Sequence, residues 1–122
     1  MSRLRLYENH NKMKLPNGNA AIVDIRKIRD YCLSNDHPRG RHKARVFESA
    51  LGLAAKDSEE LRAALKEAAR TGDASAGVAD QYGIRYTIDF VMKHRDRTSS
   101  VRSCWIILEG RKEPHFVTCF VL

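Results

Sequence analysis

The sequence predicts an α+β fold, with N-terminal helices packed on a C-terminal antiparallel β-meander. Three observations predict it. Apolar residues recur at helical spacing in segments between Asp24 and Ala69. From Tyr82 onward the chain instead alternates at period two. Helical patterns come first and strand patterns last, with polar turns at His94–Ser100 and Gly110–Pro114 between the strand-like runs, which is the order of an α+β domain.

The first dozen residues are polar and read as a loose N-terminal segment, or as a short edge strand around Leu4–Tyr7. Met13-Lys14-Leu15 alternates, Pro16-Asn17-Gly18 supplies a turn, and Ala20–Val23 is expected to pair back as a strand. Asp24 is an N-cap for a helix over Ile25–Leu33, whose stripe is Ile25, Ile28 and Cys32. Ser34-Asn35-Asp36 stops it. A second helix starts near Arg41 on the stripe Val46, Phe47, Ala50 and Leu51, and Gly52 weakens its end. Asp57 and Glu60 read as a capping box for a third helix over Ser58–Ala69. Thr71–Asp80 is small and polar and reads as a loop or flexible connection. Tyr82, Ile84, Tyr86, Ile88, Phe90 and Met92 mark a half-buried strand. Val101–Leu108 and His115–Leu122 are apolar on both faces and are expected to lie centrally in the sheet.

At 122 residues the chain is read as one domain, 1–122, with a modest core. An apolar share of 43% with 30% charged residues is ordinary for a folded soluble chain. No apolar run approaches the roughly 20 residues that span a bilayer, no basic amphipathic helix carries an aromatic face, and no hydrophobic block follows the N-terminus. No membrane partner is expected, and the location is read as cytoplasmic. The start at Met1 reads as a free-standing protein. Three cysteines with no C-x-x-C spacing argue against a disulfide framework and a zinc site.

The charge is uneven. Residues 1–56 hold 12 Lys and Arg against 5 Asp and Glu, whereas residues 57–122 hold 10 of each. The run His37-Pro38-Arg39-Gly40-Arg41-His42-Lys43-Ala44-Arg45 lies in the basic half and places six cationic or imidazole side chains in nine positions. A local positive field of this kind suits a polyanion. By helical phase, His42 and Lys43 fall four residues before Val46 and Phe47 and are expected to face inward, with Arg41 and Arg45 outward.

Several chemistries fall away. Asp24, Asp36, Asp80 and Asp89 are scattered, with no D-x-D or H-x-H pair, so no metal or other cofactor is expected. No Gly-rich loop follows a strand, and each cysteine sits in an apolar pattern without an evident base. What remains is metal-independent phosphodiester chemistry, in which RNA brings its own 2′-OH nucleophile. An imidazole, His42 or His37, would carry the proton, and Lys43 and Arg102 would stabilise the phosphorane. Ser103 and Thr118 are candidate hydroxyl donors that orient the phosphate. Arg39, Arg41, Arg45 and Arg85 are candidate nucleic-acid contacts, and Trp105 a candidate stacking platform. Each also has a plainer reading: His37-Pro38 as a turn, His42 as an exposed helix residue, the arginines as a solvated face, Trp105 as core, and Ser103 and Thr118 as ordinary strand residues.

The run His37-Pro38-x-Gly40-x-x-Lys43-Ala44-x-x-Phe47 resembles the signature of a small bacterial domain-of-unknown-function family. Ile28-Arg29-Asp30-Tyr31-Cys32-Leu33, Tyr82-Gly83 and Val101-Arg102-Ser103-Cys104-Trp105 extend the resemblance over Leu15–Leu122. Where the family carries Thr after the arginine, this chain has Ser103, which keeps a hydroxyl. Such domains occur in polymorphic toxins, phage head proteins and toxin–antitoxin pairs, and are similar to the barnase–EndoU–colicin–RelE ribonucleases. That resemblance implies a metal-independent ribonuclease toxin of a toxin–antitoxin or polymorphic toxin system. RNA is then the substrate, and charge complementarity points to an acidic antitoxin or immunity protein as partner. The alternatives are a non-catalytic nucleic-acid-binding or phage-associated module, and a basic protein–protein adaptor.

Overall fold

Five strands form one antiparallel sheet in chain order: β1 (Met13–Lys14), β2 (Asp73–Asp80), β3 (Gly83–His94), β4 (Arg97–Leu108) and β5 (His115–Val121). They are seen in a computed structural model that describes residues 13–122. The expected loose segment or edge strand around Leu4–Tyr7 lies outside the described residues. Three helices, α1 (Ile25–Lys27), α2 (Arg41–Leu51) and α3 (Ser58–Thr71), fall between β1 and β2 in the chain. The architecture is α+β, with four of the five strands in the C-terminal half.

The period-two pattern of β3 and β4 decides which face is covered. Tyr86, Ile88 and Met92 share one face with Val101 and Trp105, since Ile88 pairs with Ser103 and Tyr86 with Trp105. That face joins Phe47 and Leu51 of α2 and Leu61 and Leu65 of α3 in one buried cluster. Each such side chain stabilises the fold by about 1.5–3 kcal/mol relative to exposure. The opposite face carries ion pairs, Arg85 with Asp80 and Arg102 with Asp89.

Asp24 caps α1 as expected, its carboxylate accepting the Arg26 amide at 3.0 Å. Past Lys27 the helix widens into a π turn over Ile28–Cys32, closed by the Leu33 amide on the Ile28 carbonyl at 2.8 Å. That turn shifts the side-chain phase by one residue and carries Tyr31.

Four local expectations are corrected. Thr71–Asp80 is not a loop: Asp73–Asp80 pairs with β3 through its backbone. Its residues are small and only Ala74 is buried, so no apolar alternation marks it. Ala20–Val23 is not a hairpin strand either. Gly18–Ala20 is a single 3-10 turn, and Ile22 instead bridges His115 in parallel. Asp57 and Glu60 do not box the N-terminus of α3. A 3-10 turn at Ala55–Asp57 precedes it, Asp57 accepts the Ala54 amide at 2.9 Å, and Glu60 turns to His94. Finally, β4 is central but β5 is an edge strand. Its apolar character is explained by what covers that edge. Phe116 N–H donates to the Ile22 carbonyl at 2.9 Å, and Lys27 Nζ donates to the Phe116 carbonyl at 2.8 Å.

Candidate functional site

A cleft of about 670 Å³ opens between the π turn, the start of α2 and the β5 edge. Asp24, Arg26, Lys27, Asp30, Tyr31, His37, Lys43, Val117 and Thr118 line it. The basic run therefore meets the last strand across 75 residues of sequence.

The run has a specific job at each motif position. His37 Nδ1 accepts the backbone amides of Arg39 at 3.0 Å and Gly40 at 3.1 Å. These amides would otherwise lack partners where the chain turns into α2. Because Nδ1 is the acceptor, the ring proton sits on Nε2. The ring meets Tyr31 edge-on, with centroids 4.7 Å apart and planes at 81°. Gly40 is buried, and a Cβ there would stand 2.1 Å from the Tyr31 carbonyl oxygen, so only glycine permits this approach of α2 to the π turn. Ala44 and Phe47 enter the core. Lys43 flanks that stripe and reaches the cleft.

Lys43 is half-buried, and its Nζ donates to Thr118 Oγ1 at 3.2 Å and to the Tyr31 hydroxyl at 3.4 Å. It also lies 5.0 Å from the centre of the Tyr31 ring and 5.9 Å from that of Phe120. Among the described residues no carboxylate pairs with it. The acids of the cleft are committed elsewhere: Asp24 to Arg26 and Asp30 to Arg29. The Arg26 guanidinium and amide hold the Asp24 carboxyl down at about 2, and the Arg29 hydrogen bond lowers that of Asp30. A half-buried cation whose direct partners are neutral hydroxyls and π faces keeps the capacity to receive an anion.

Thr118 Oγ1 also lies 3.7 Å from the buried Cys32 Sγ. A hydrogen bond with Cys119, aided by Thr118 and the Lys43 charge, holds the Cys32 thiol at about 6 despite its burial. Cys119 moves the opposite way, well above the ordinary thiol value, because its proton serves Cys32 and burial disfavours its charge.

The structure brings His37, Lys43 and Thr118 together in the cleft, leaves His42 beside Lys43 at a neighbouring recess, and sets Arg102, Ser103, Arg85 and Trp105 apart. His42 is exposed rather than inward, because one helical step from Lys43 turns it about 100° away from the core stripe. It borders a second recess of about 370 Å³ with Lys43, Val46, Phe120 and Val121. Ser103 is fully buried on the helix-covered face, where it donates to the Ile88 carbonyl at 2.8 Å and accepts Trp105 Nε1–H at 2.9 Å. Trp105 is 0% exposed and packs edge-on against Phe116, so its ring offers no surface for stacking. Arg102 projects from the opposite face into a two-pronged pair with Asp89 at 2.8 and 2.9 Å, and Arg85 pairs there with Asp80 at 2.7 Å. Strand alternation puts Arg102 on one face and Ser103 on the other. Arg39, Arg41 and Arg45 are exposed around the first turns of α2, as a basic rim requires.

Sequence reasoning missed Tyr31 and Phe120. Tyr31 falls off the apolar stripe expected for a regular helix, and the π turn that redirects it leaves no mark in the pattern. Phe120 sits in an apolar strand where every residue looks like core. It also missed a gathering of Asp57, Glu60 and His94, whose ligand-type atoms all lie within 4.8 Å of one another. His94 is buried and its Nδ1 lies 2.6 Å from Glu60, which pins the β3–β4 hairpin to α3. The separation of 34 positions between Glu60 and His94 hid this from a search for short metal-ligand spacings. No helix among the described residues is long and apolar enough to cross a membrane.

Residues 14–122 match the family described as Domain of unknown function (DUF6883), so the chain belongs to that family. A comparison with curated proteins finds no match.

Proposed function

We propose that this member of the family is a metal-independent ribonuclease of the toxin type, which cleaves RNA by attack of its 2′-OH on the adjacent phosphate. The observation that carries the reading is Lys43: a half-buried ammonium without a carboxylate partner among the described residues, at the wall of an open cleft. The similarity of such domains to the barnase–EndoU–colicin–RelE ribonucleases, which the His37–Phe47 motif brings with it, points the same way.

In this reading the scissile phosphate rests on Lys43 Nζ, with His37 Nε2–H and the Thr118 hydroxyl as further donors. Nδ1 of His37 is occupied by two amides, so His37 acts as a neutral donor rather than as the base. His42, exposed beside Lys43 at the second recess, takes the 2′-OH proton. The 2′-oxygen bonds to phosphorus and the bond to the 5′-oxygen breaks. The Tyr31 phenol, a stronger acid than the leaving alcohol, protonates that oxygen, and Lys43 at 3.4 Å stabilises the phenolate left behind. The exposed Arg39, Arg41 and Arg45 supply the rim that holds the flanking strand. The partner is an acidic antitoxin or immunity protein that covers this rim.

Incubating total RNA with the wild type and with Lys43→Met, in chelator, tests the reading. Cleavage by the wild type alone supports it. Intact RNA that is nonetheless bound in a salt-dependent manner would move the protein to the binding-module reading.

A further inference from the structure

The Lys43 side chain lines both the cleft and the second recess. The walls of the recess are Val46, Phe120 and Val121, with His42 at the mouth. Phe120 and Val121 are half-buried, and the Lys43 ammonium stands over the Phe120 ring at 5.9 Å. An apolar recess with an aromatic wall and one cation at its border is the chemistry of a nucleobase beside its phosphate. The ring accepts a base by stacking regardless of its identity, and the cation takes the charge next to it. A hydrocarbon would leave that ammonium unanswered, and a simple anion would leave the apolar walls uncovered.

We infer that this recess is a nucleobase subsite. It receives the base of the nucleotide whose 2′-OH attacks, with Phe120 as its stacking platform. The inference rests on the ribonuclease reading, and it places that nucleotide's 2′-OH on the His42 side of Lys43, with the leaving nucleotide in the larger cleft beside Tyr31 and His37. Phe120 and Val46 are then positioning residues for the substrate. Because stacking tolerates any base, the subsite requires a base without choosing among the four.

The test uses DNA oligonucleotides with a single ribonucleotide, carrying either its base or an abasic ribose. Their all-deoxy counterparts serve for binding by fluorescence anisotropy. The wild type is expected to cleave the intact substrate about tenfold more efficiently than the abasic one, the scale of one stacked base. Phe120→Leu keeps the apolar packing and removes the flat face. It should lose that preference, the ratio of intact to abasic cleavage falling to about one, and Phe120→Ala should do the same. A wild type indifferent to the missing base, or a Phe120→Leu enzyme that retains the full preference, overturns the subsite. If no ribonucleotide is cut at all, the ribonuclease reading fails by itself. The subsite then stands or falls on whether the intact deoxy strand binds about tenfold tighter than the abasic strand, and whether Phe120→Leu abolishes the difference. A recess built to dock a protein side chain would show no dependence on the base in either assay.

Discussion

The Lys43 ammonium and the Thr118 hydroxyl meet at 3.2 Å, joining the first turn of α2 to the β5 edge strand. The contact makes the C-terminal strand part of a site otherwise built from the basic N-terminal half. It also defines how Lys43 should respond to change. Lys43→Met keeps the aliphatic stem and removes the charge. Cleavage should fall by about 10²–10³-fold, the effect of losing one preorganised charge-stabilising donor. At pH below about 6, where Cys32 is protonated, the thermal midpoint should hold or rise, because the ammonium has no carboxylate partner to lose. Thr118→Val should cost less activity than Lys43→Met. Initial rates and thermal unfolding of the two variants check this, and a Lys43→Met enzyme with wild-type activity removes Lys43 from the site.

Tyr31→Phe separates ring from hydroxyl. The edge contact with His37 at 4.7 Å needs only the ring, so stability should change little. The leaving oxygen loses its proton donor, and kcat should drop by about 10²-fold with KM nearly constant. Equal losses in KM and fold stability would give Tyr31 a structural role only.

His37 has two duties that substitution can split. His37→Ala orphans two backbone amides and should destabilise the fold by about 1 kcal/mol, as loss of a capping acceptor does. His37→Asn offers a side-chain oxygen to the same amides and should recover part of that stability. It lacks the Nε2–H at the ring's far end, so activity should remain low. Denaturant midpoints set beside cleavage rates test the split; parallel recovery of both would contradict it.

The Cys32 thiol, held at about 6, responds to the Lys43 charge across Thr118. Positive charge favours the thiolate, so removing it in Lys43→Met should move the Cys32 titration upward. Thiolate absorbance followed with pH reads this directly. The sign for stability follows. Between about 6 and the ordinary thiol range the folded chain binds fewer protons at Cys32 than the unfolded chain does. The contribution of Cys32 to stability therefore grows with pH in that window and is lost as pH falls through about 6. An unshifted titration in Lys43→Met would show that the charge does not reach the thiol.

Ser103→Ala should strand the buried Trp105 N–H and cost about 1–3 kcal/mol. The folded fraction should cleave at the wild-type rate, because Ser103 faces the core. A rate loss beyond the loss of folded protein would return Ser103 to the site.

Most of the fold was legible where burial imposes a period. β3, β4 and the stripes of α2 and α3 each have one covered face, and their apolar residues repeat accordingly. Elements held by backbone pairing alone left no such record: β2 is made of small exposed residues, and only Ala74 reaches the core. Within the site, Lys43 was legible because it interrupts an inward helical position. His42 was legible as a candidate but not in its direction, because a single helical step separates an inward residue from an exposed one. Arg102 and Ser103 read together as a pair of functional neighbours, yet strand alternation sends them to opposite faces. Tyr31 depends on a π turn, and Phe120 on the far end of an edge strand, beside Lys43 and Val46 of α2. Neither feature has a residue pattern of its own.

The central claim concerns the chemistry at the phosphate. It is tested most directly by the mass of the products from an RNA oligonucleotide cut in the presence of a chelator. A 2′,3′-cyclic phosphate on one fragment and a free 5′-hydroxyl on the other, with no cut where the 2′-OH is removed, is the result expected. Cleavage that requires a divalent ion, or that proceeds equally on the 2′-deoxy strand, would contradict it.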